Sequence, residues 1–309
     1  MNAPSIDSPP RQVPHVRVLL ATYNGARWLD EQLESVVRQQ GVEVTVVASD
    51  DSSSDGTVEL LQRWASQATI EILPPSAARF GSAHRNFLRL IRDADPQDAE
   101  FFALADQDDI WLPGKLLRGV ECLTSLAAKG YSSNVTAFWP DGSRQPIDKA
   151  QPQRQLDHLF ESPGPGCTFV LPRSVFLELK AFVTEQFARL QSIWVHDWLI
   201  YAFVRSRGGR WHIDSQALML YRQHGRNEIG VNAGWRAAMN RWRLVRSGAY
   251  RRDILAIADA TGVGNSVVDA LRRLNLSDRL GLVLRVRAFR RRFSECVVLA
   301  VLFMVMPRG

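Results

Sequence analysis

His15–Asp51 reads HVRVLLATYNGARWLDEQLESVVRQQGVEVTVVASDD, and this stretch decides the fold. It opens with an apolar, β-rich run that stops at Asn24-Gly25, a turn signal. Trp28, Leu29, Leu33, Val36 and Val37 then recur at helical spacing, with Gly41 as the stop. A second β-rich run, VEVTVVASDD, ends in two carboxylates, Asp50 and Asp51. Strand, helix and strand in that order predict a βαβ unit.

The alternation continues outward. SSSDGTVELLQRWASQ supplies a helix with Val58, Leu60, Leu61 and Trp64 on one face, and TIEILPP a strand closed by Pro74-Pro75. SAHRNFLRLIRDA is a third helix and EFFALADQDD a fourth strand. The pattern predicts an α/β fold, a mostly parallel, doubly wound mixed sheet flanked by helices. Ligands of such sheets bind beyond the carboxyl ends of the strands, where ATYNG, SDDSSSDGT and LADQDD all fall. Residues 114–160 are less legible, with a helix near Lys115–Lys129 followed by a Pro/Gly/Gln-rich stretch. PGCTFVLPRSVFLEL then reads as strand and helix, and HDWLIYAFVRSRG as a helix stopped by Gly208-Gly209.

The chain of 309 residues is 46% hydrophobic and can bury a full core. Residues 1–14 lack an apolar signal-type segment and read as a disordered lead-in. Cys122, Cys167 and Cys296 lie too far apart to suggest a zinc site or a disulfide framework, which favours a reducing, cytoplasmic setting. The net charge of +6 is uneven: residues 1–235 hold 23 Lys/Arg against 27 Asp/Glu, and residues 236–309 hold 15 against 5. The basic character therefore belongs to the tail. Without zinc-finger spacing or an RNP-like aromatic motif, nucleic acid is not expected as a partner.

Asp106, Asp108 and Asp109 crowd four positions after a buried strand. They could cap the next helix, or Asp106-x-Asp108 could hold Mg²⁺ or Mn²⁺ together with substrate phosphates. Asp109 suits a helix start as well as a metal. The chain has no GxxxxGK[ST] loop and no GxGxxG, so neither a P-loop nor a dinucleotide site is supported.

ATYNGARWLDEQLESVVRQQ, SDDSSSDGT, LADQDDIWLPGKL, GCTFVLPR, HDWLIYAF and YRQHGRNEIG occur in the order seen in family 2 glycosyltransferases. The chain resembles the bacterial rhamnosyltransferase-like group of that family over about residues 15–230. The resemblance implies a GT-A (Rossmann-like) domain at 15–235 and a basic helical region at 236–309. It also implies an inverting, metal-dependent transfer of a sugar from a nucleoside-diphosphate donor, with dTDP-rhamnose as the leading donor and UDP sugars next. The acceptor would be a hydroxyl of a growing surface polysaccharide or lipid-linked glycan.

By position, the resemblance puts Thr22, Tyr23 and Asp51 at the nucleotide, Asp51 accepting from a pyrimidine N–H, and Arg85 and Asn86 on the donor side. Asp106 and Asp108 become the DxD motif, Asp108 the direct metal ligand, with His224 as a further ligand. His196, Asp197 and Trp198 form the acceptor-side motif, Asp197 being the general base. Cys167 reads as a small buried thiol. Two departures stand out: Ser52 sits where the family usually has glycine, and Arg226 follows His224-Gly225.

The tail joins Arg285, Arg287, Arg290, Arg291 and Arg292 to an apolar run, Val297–Met306. Ten residues cannot span a bilayer, which needs about 20. The segment is expected to pack on the domain, to dock peripherally on the cytoplasmic face of the inner membrane, or to mediate oligomerisation. Two other functions fit the pattern less well: a non-catalytic sugar-nucleotide-binding scaffold, which has no need of Asp106, Asp108 and Asp197 together, and a nucleotidyltransferase, which would need a glycine- and lysine-containing N-terminal loop.

Overall fold

The computed structural model describes residues 13–193, 195–224 and 248–308. Most of the lead-in, Arg226 and the junction at 235/236 lie outside the described residues.

The predicted alternation is present as β1 (His15–Thr22), α1 (Ala26–Val37), β2 (Glu43–Asp50), α2 (Thr57–Ala65), β3 (Ile70–Ile72), α3 (Ala83–Asp93) and β4 (Phe101–Ala105). Strand β1 is central, paired in parallel with β2 on one side and β4 on the other. Val16, Val18 and Leu20 face one hydrophobic core, while Leu19 and Ala21 face the other. Burial on both faces explains why β1 reads as an unbroken apolar run. Helix α1 covers the first face through Leu29, Leu33 and Val36, each worth about 1.5–3 kcal/mol on burial.

The chain runs outward through β1, β2 and β3, then returns to lay β4 on the opposite side of β1. Thr22 lies beside Asp50, and Leu20 beside Ala105. The loops after β1, β2 and β4 thus leave one rim around the point where strand order reverses, the usual ligand crevice of such sheets.

Next come β5 (Ile110–Trp111), α4 (Lys115–Ser125), β6 (Gly130–Ser133), β7 (Val135–Phe138), β8 (Arg144–Ile147) and β9 (Val170–Pro172). They are followed by α5 (Arg173–Leu190), α6 (His196–Ser206), β10 (Trp211–Asp214) and β11 (Met219–Arg222). The main sheet has the order β10-β6-β9-β4-β1-β2-β3, with β9 antiparallel to both neighbours. A second sheet, β5-β11-β7-β8, stands beside it. The stretch that was hard to read holds β6, β7 and β8. These strands are only four residues long, too short for a clear period.

The C-terminal region forms α7 (Ala249–Thr261), α8 (Ser266–Arg273), α9 (Leu276–Leu284) and α10 (Phe293–Val305). Asn265 caps α8 by accepting from Val267 and Val268 N–H, and Asn275 with Asp278 forms a capping box on α9. Ile254, Ile257, Leu299 and Phe303 join the same core as α3, α5 and α6. Phe289 stacks on Phe160 with ring centroids 4.4 Å apart.

The arginine cluster divides. Arg291 is buried, its Nη1 3.3 Å from Asp157 Oδ2, and its Nη2 donates to Ser162 O at 2.6 Å. Arg290 pairs with Glu161 at 3.6 Å and Glu295 at 3.3 Å. These two arginines therefore fasten the tail to the domain, the packing alternative among the three expected for this segment. Arg285 and Arg287 stay exposed.

Candidate active site

One cavity of about 1470 Å³ opens at the rim described above. That exceeds the few hundred to 1,000 Å³ of an ordinary small-ligand pocket. It has room for two reactants.

One half is built on the sheet. Tyr23 N donates to Gln107 Oε1 at 2.8 Å, and Gln107 Nε2 donates back to Tyr23 O at 2.9 Å. This clasp ties the β1 loop to the β4 loop. A Cβ on Gly25 would lie 2.1 Å from Gln107 Oε1, so a larger residue there would displace Gln107 and open the clasp. Thr22 Oγ1 donates to Asp50 Oδ1 at 2.9 Å, which gives Asp50 a loop-holding role with Ser53 rather than a helix cap. Asp51 is buried and accepts from Phe80 N and, at 2.8 Å, from Gly81 N. Arg79, absent from the sequence reading, covers the Tyr23 ring at 3.7 Å and lies 3.6 Å from Asp51.

Asn86 is buried behind this wall, donating to Ser49 O at 2.8 Å and Thr22 O at 3.3 Å. It positions the strand ends. Arg85, in contrast, does not line the cavity: its Nε donates to Gln191 O at 3.1 Å and its Nη1 to Phe80 O at 3.3 Å.

The pairing of β5 with β11, Leu220 opposite Ile110, brings the two distant motifs together. Arg222 Nε donates to Asp108 O at 2.7 Å, and Arg222 N to Asp109 Oδ1 at 3.1 Å. His224 Nε2 reaches Asp108 Oδ2 at 2.7 Å, and the imidazole stacks on Trp28 at 4.1 Å. Trp28, at helical spacing with the core residues of α1, lines the cavity.

Asp106, Asp108 and His224 all line the cavity. Their donor set suits a hard divalent cation. Asp108 and His224 hydrogen-bond to each other, a contact that a bound cation would replace. Asp109 neither caps α4 nor faces solvent. It is fully buried with Cys167 and Lys115, and burial together with Asp108 and Asp106 pushes its carboxyl well above the usual range. Lys115, its Nζ 3.5 Å over the Trp111 ring, is pushed down to about 7 by burial.

The other half of the cavity is built from the β8 end, residues 160–166, the start of α6 and the C-terminal helices. Trp198 is buried, donates Nε1 to His158 O at 2.9 Å and stacks on Tyr250 of α7. His196 stacks on Phe87 at 4.1 Å, and burial pushes it down to about 3, so it is neutral. A Cβ on Gly166 would fall 2.3 Å from His196 Nε2, which explains the glycine in GCTFVLPR. Asp197 begins α6 and accepts from Trp198 N at 2.6 Å. Burial pushes its carboxyl up to about 6, against the pull of Ser162 and the Lys149 ammonium. Lys149 was also missed; its stem packs on Gly164, and it lines the cavity near Asp197.

A reversed strand order, a carboxylate-and-histidine cluster at the switch point and a second carboxylate in the same cavity fit a transferase of the GT-A class. The chain belongs to glycosyl transferase family 2, whose model matches residues 17–175. It is 41% identical over 242 residues to the dTDP-rhamnosyl transferase RfbG of Shigella flexneri, covering 78% of this chain and 84% of that relative. Among solved structures, S. aureus TarS 1-349 in complex with UDP-GlcNAc superposes with TM-score 0.59 at 14% identity, covering 95% of this chain and 82% of that one. The mannosyltransferase PcManGT from Pyrobaculum calidifontis, in complex with GDP-Man and Mn²⁺, gives TM-score 0.53 at 17% identity over 96% of this chain and 86% of that one. The expected family and its rhamnosyltransferase-like group are thereby borne out, as is the GT-A fold.

Proposed function

We propose that this glycosyltransferase moves L-rhamnose from dTDP-rhamnose to a hydroxyl of a growing surface polysaccharide or lipid-linked glycan, inverting the anomeric carbon. The donor assignment is supported by the 41% identity to a dTDP-rhamnosyl transferase. The observation that carries the mechanism is that Asp197 lines the same cavity as Asp106, Asp108 and His224.

Tyr23 and Asp51 take the nucleobase, with Arg79 moving off the Tyr23 ring to admit it. Asp106, Asp108 and His224 would hold Mg²⁺ or Mn²⁺, which would supply positive charge to the diphosphate leaving group. Asp197 accepts the acceptor's hydroxyl proton as that oxygen bonds to the anomeric carbon and the bond to the diphosphate oxygen breaks. A carboxyl near 6 is largely ionised at neutral pH yet basic enough to take a proton. His196 and Trp198 shape the acceptor side, and the cavity walls align the reactants. A single displacement needs no protein nucleophile.

Calorimetric titration of dTDP, UDP and GDP, each with and without Mn²⁺, into wild type and Asp108→Ala tests this reading. Metal-dependent binding of dTDP that Asp108→Ala abolishes is expected. Preference for UDP or GDP overturns the donor, and undiminished binding by Asp108→Ala overturns the metal site.

A further inference from the structure

Beyond Ser294 and Glu295 in its first turn, helix α10 is apolar around its whole circumference yet lies at the surface. Cys296, Leu299 and Phe303 turn inward, while Phe293, Val297, Val298, Val301, Met304 and Val305 are 44–66% exposed. Their spacing, steps of four, one, three, three and one, puts them on one helical face. The neighbouring α9 exposes Leu276, Leu280 and Leu284 at steps of four. A surface helix ordinarily carries its polar face outward. This one does not.

Between Arg279 and Arg308 the sequence holds seven arginines and one acid, Glu295. Glu295 is taken by Arg290. Arg287 lies beside the apolar face, 5.5 Å over the Phe293 ring, and Arg285 follows the exposed Leu284 of α9 and donates to Ser266 Oγ; neither makes an ion pair among the described residues. At 13 residues α10 is about 20 Å long, short of the roughly 30 Å hydrocarbon core. No helix among the described residues is long and apolar enough to cross a membrane.

We infer that the outer face of α10, together with Arg285 and Arg287, seats the protein on the surface of an anionic lipid bilayer. Apolar side chains enter the headgroup–acyl boundary and the guanidinium groups meet the lipid phosphates. A second copy of the chain is the poorer occupant, because self-complementary packing would bring two uncompensated basic patches together. The same helix contributes Val298, Leu299 and Leu302 to the cavity wall, so the bilayer-facing surface continues into the acceptor half of the site. An acceptor with a lipid anchor would reach Asp197 from the plane on which the enzyme sits. This last consequence rests on the proposed function; the docking surface does not.

Vesicle co-sedimentation of the full chain tests the docking. Wild type should bind phosphatidylcholine vesicles containing phosphatidylglycerol and bind pure phosphatidylcholine much less. Arg285→Gln/Arg287→Gln should weaken binding to the anionic vesicles by about thirtyfold. Val297→Asp/Val301→Asp, on positions outside the cavity lining, should weaken it by at least about tenfold. Each variant is checked by thermal melt and by dTDP binding, so that lost folding and a lost donor site register separately. Wild type that binds nucleotide but neither vesicle overturns the inference, as does aspartate-substituted protein that still sediments. A wild-type dimer that the aspartates dissolve in sedimentation velocity assigns the face to a second copy and overturns it too.

Discussion

The two halves of the cavity are built by different physics. The donor half stands on strand ends, and its polar side chains are held by main-chain groups close by: Asp51 by Phe80 and Gly81, Gln107 by Tyr23, Asn86 by Ser49 and Thr22. The acceptor half is held by charge and aromatic packing of the C-terminal region on the domain: Arg291 with Asp157 and Glu161, Tyr250 with Trp198, Phe289 with Phe160. A site of the first kind tolerates change in the tail. A site of the second kind depends on it.

Four measurements bear on that contrast. Asp197→Asn should lower kcat by about 10²–10⁴-fold while leaving dTDP affinity unchanged. Loss of nucleotide binding in a folded Asp197→Asn protein would mean that the halves are not separable. Arg291→Ala leaves the buried Asp157 and Glu161 without a full counter-charge, and should cost about 3–5 kcal/mol in denaturant unfolding. Its acceptor KM should rise before its dTDP affinity falls; the reverse order breaks the comparison.

The pH profile is a gentler probe. Only the ionised Asp197 carboxylate can accept a proton, and its group sits near 6. Below that pH kcat should fall about tenfold per unit, and above it level off. A limb that persists in Asp197→Asn would belong to another group. The smallest effect concerns Ser52, whose φ of +63° is the left-handed conformation that glycine adopts freely. That conformation costs a non-glycine residue roughly 1–2 kcal/mol. Glycine's larger unfolded-state freedom takes back about 0.5–1 kcal/mol, so Ser52→Gly should stabilise the protein by about 0.5–1 kcal/mol. Unchanged or lowered stability would mean that the serine makes a compensating contact.

The same contrast explains what was legible beforehand. In the donor half, strand, turn and helix signals sit next to the residues they position, so Thr22, Tyr23, Asp51, Asp106 and Asp108 could be located from local pattern and family resemblance. Arg85 was misplaced because spacing fixes a helical residue's position along the chain but not what its long side chain touches. Trp28 obeys the helical period yet lies at the cavity edge, since periodicity does not separate a core from a lined crevice. In the acceptor half the informative contacts are tertiary. Nothing near Lys149 in sequence announces that it stands beside Asp197. The arginine cluster looked uniform because burial of Arg290 and Arg291 depends on carboxylates at 157 and 161.

The strand β5 to β11 pairing and the Arg291 anchor also have a bearing on time. Asp108 and His224 are 116 residues apart, and Arg291 and Asp157 are 134 apart, whereas the Asp51 contacts span only 29 and 30. Closing longer loops costs more chain entropy, and contacts of large separation slow folding. The nucleobase end of the cavity can therefore order early in folding. The cavity is complete only after two late meetings, one that brings His224 to Asp108 and one that brings Arg291 to Asp157.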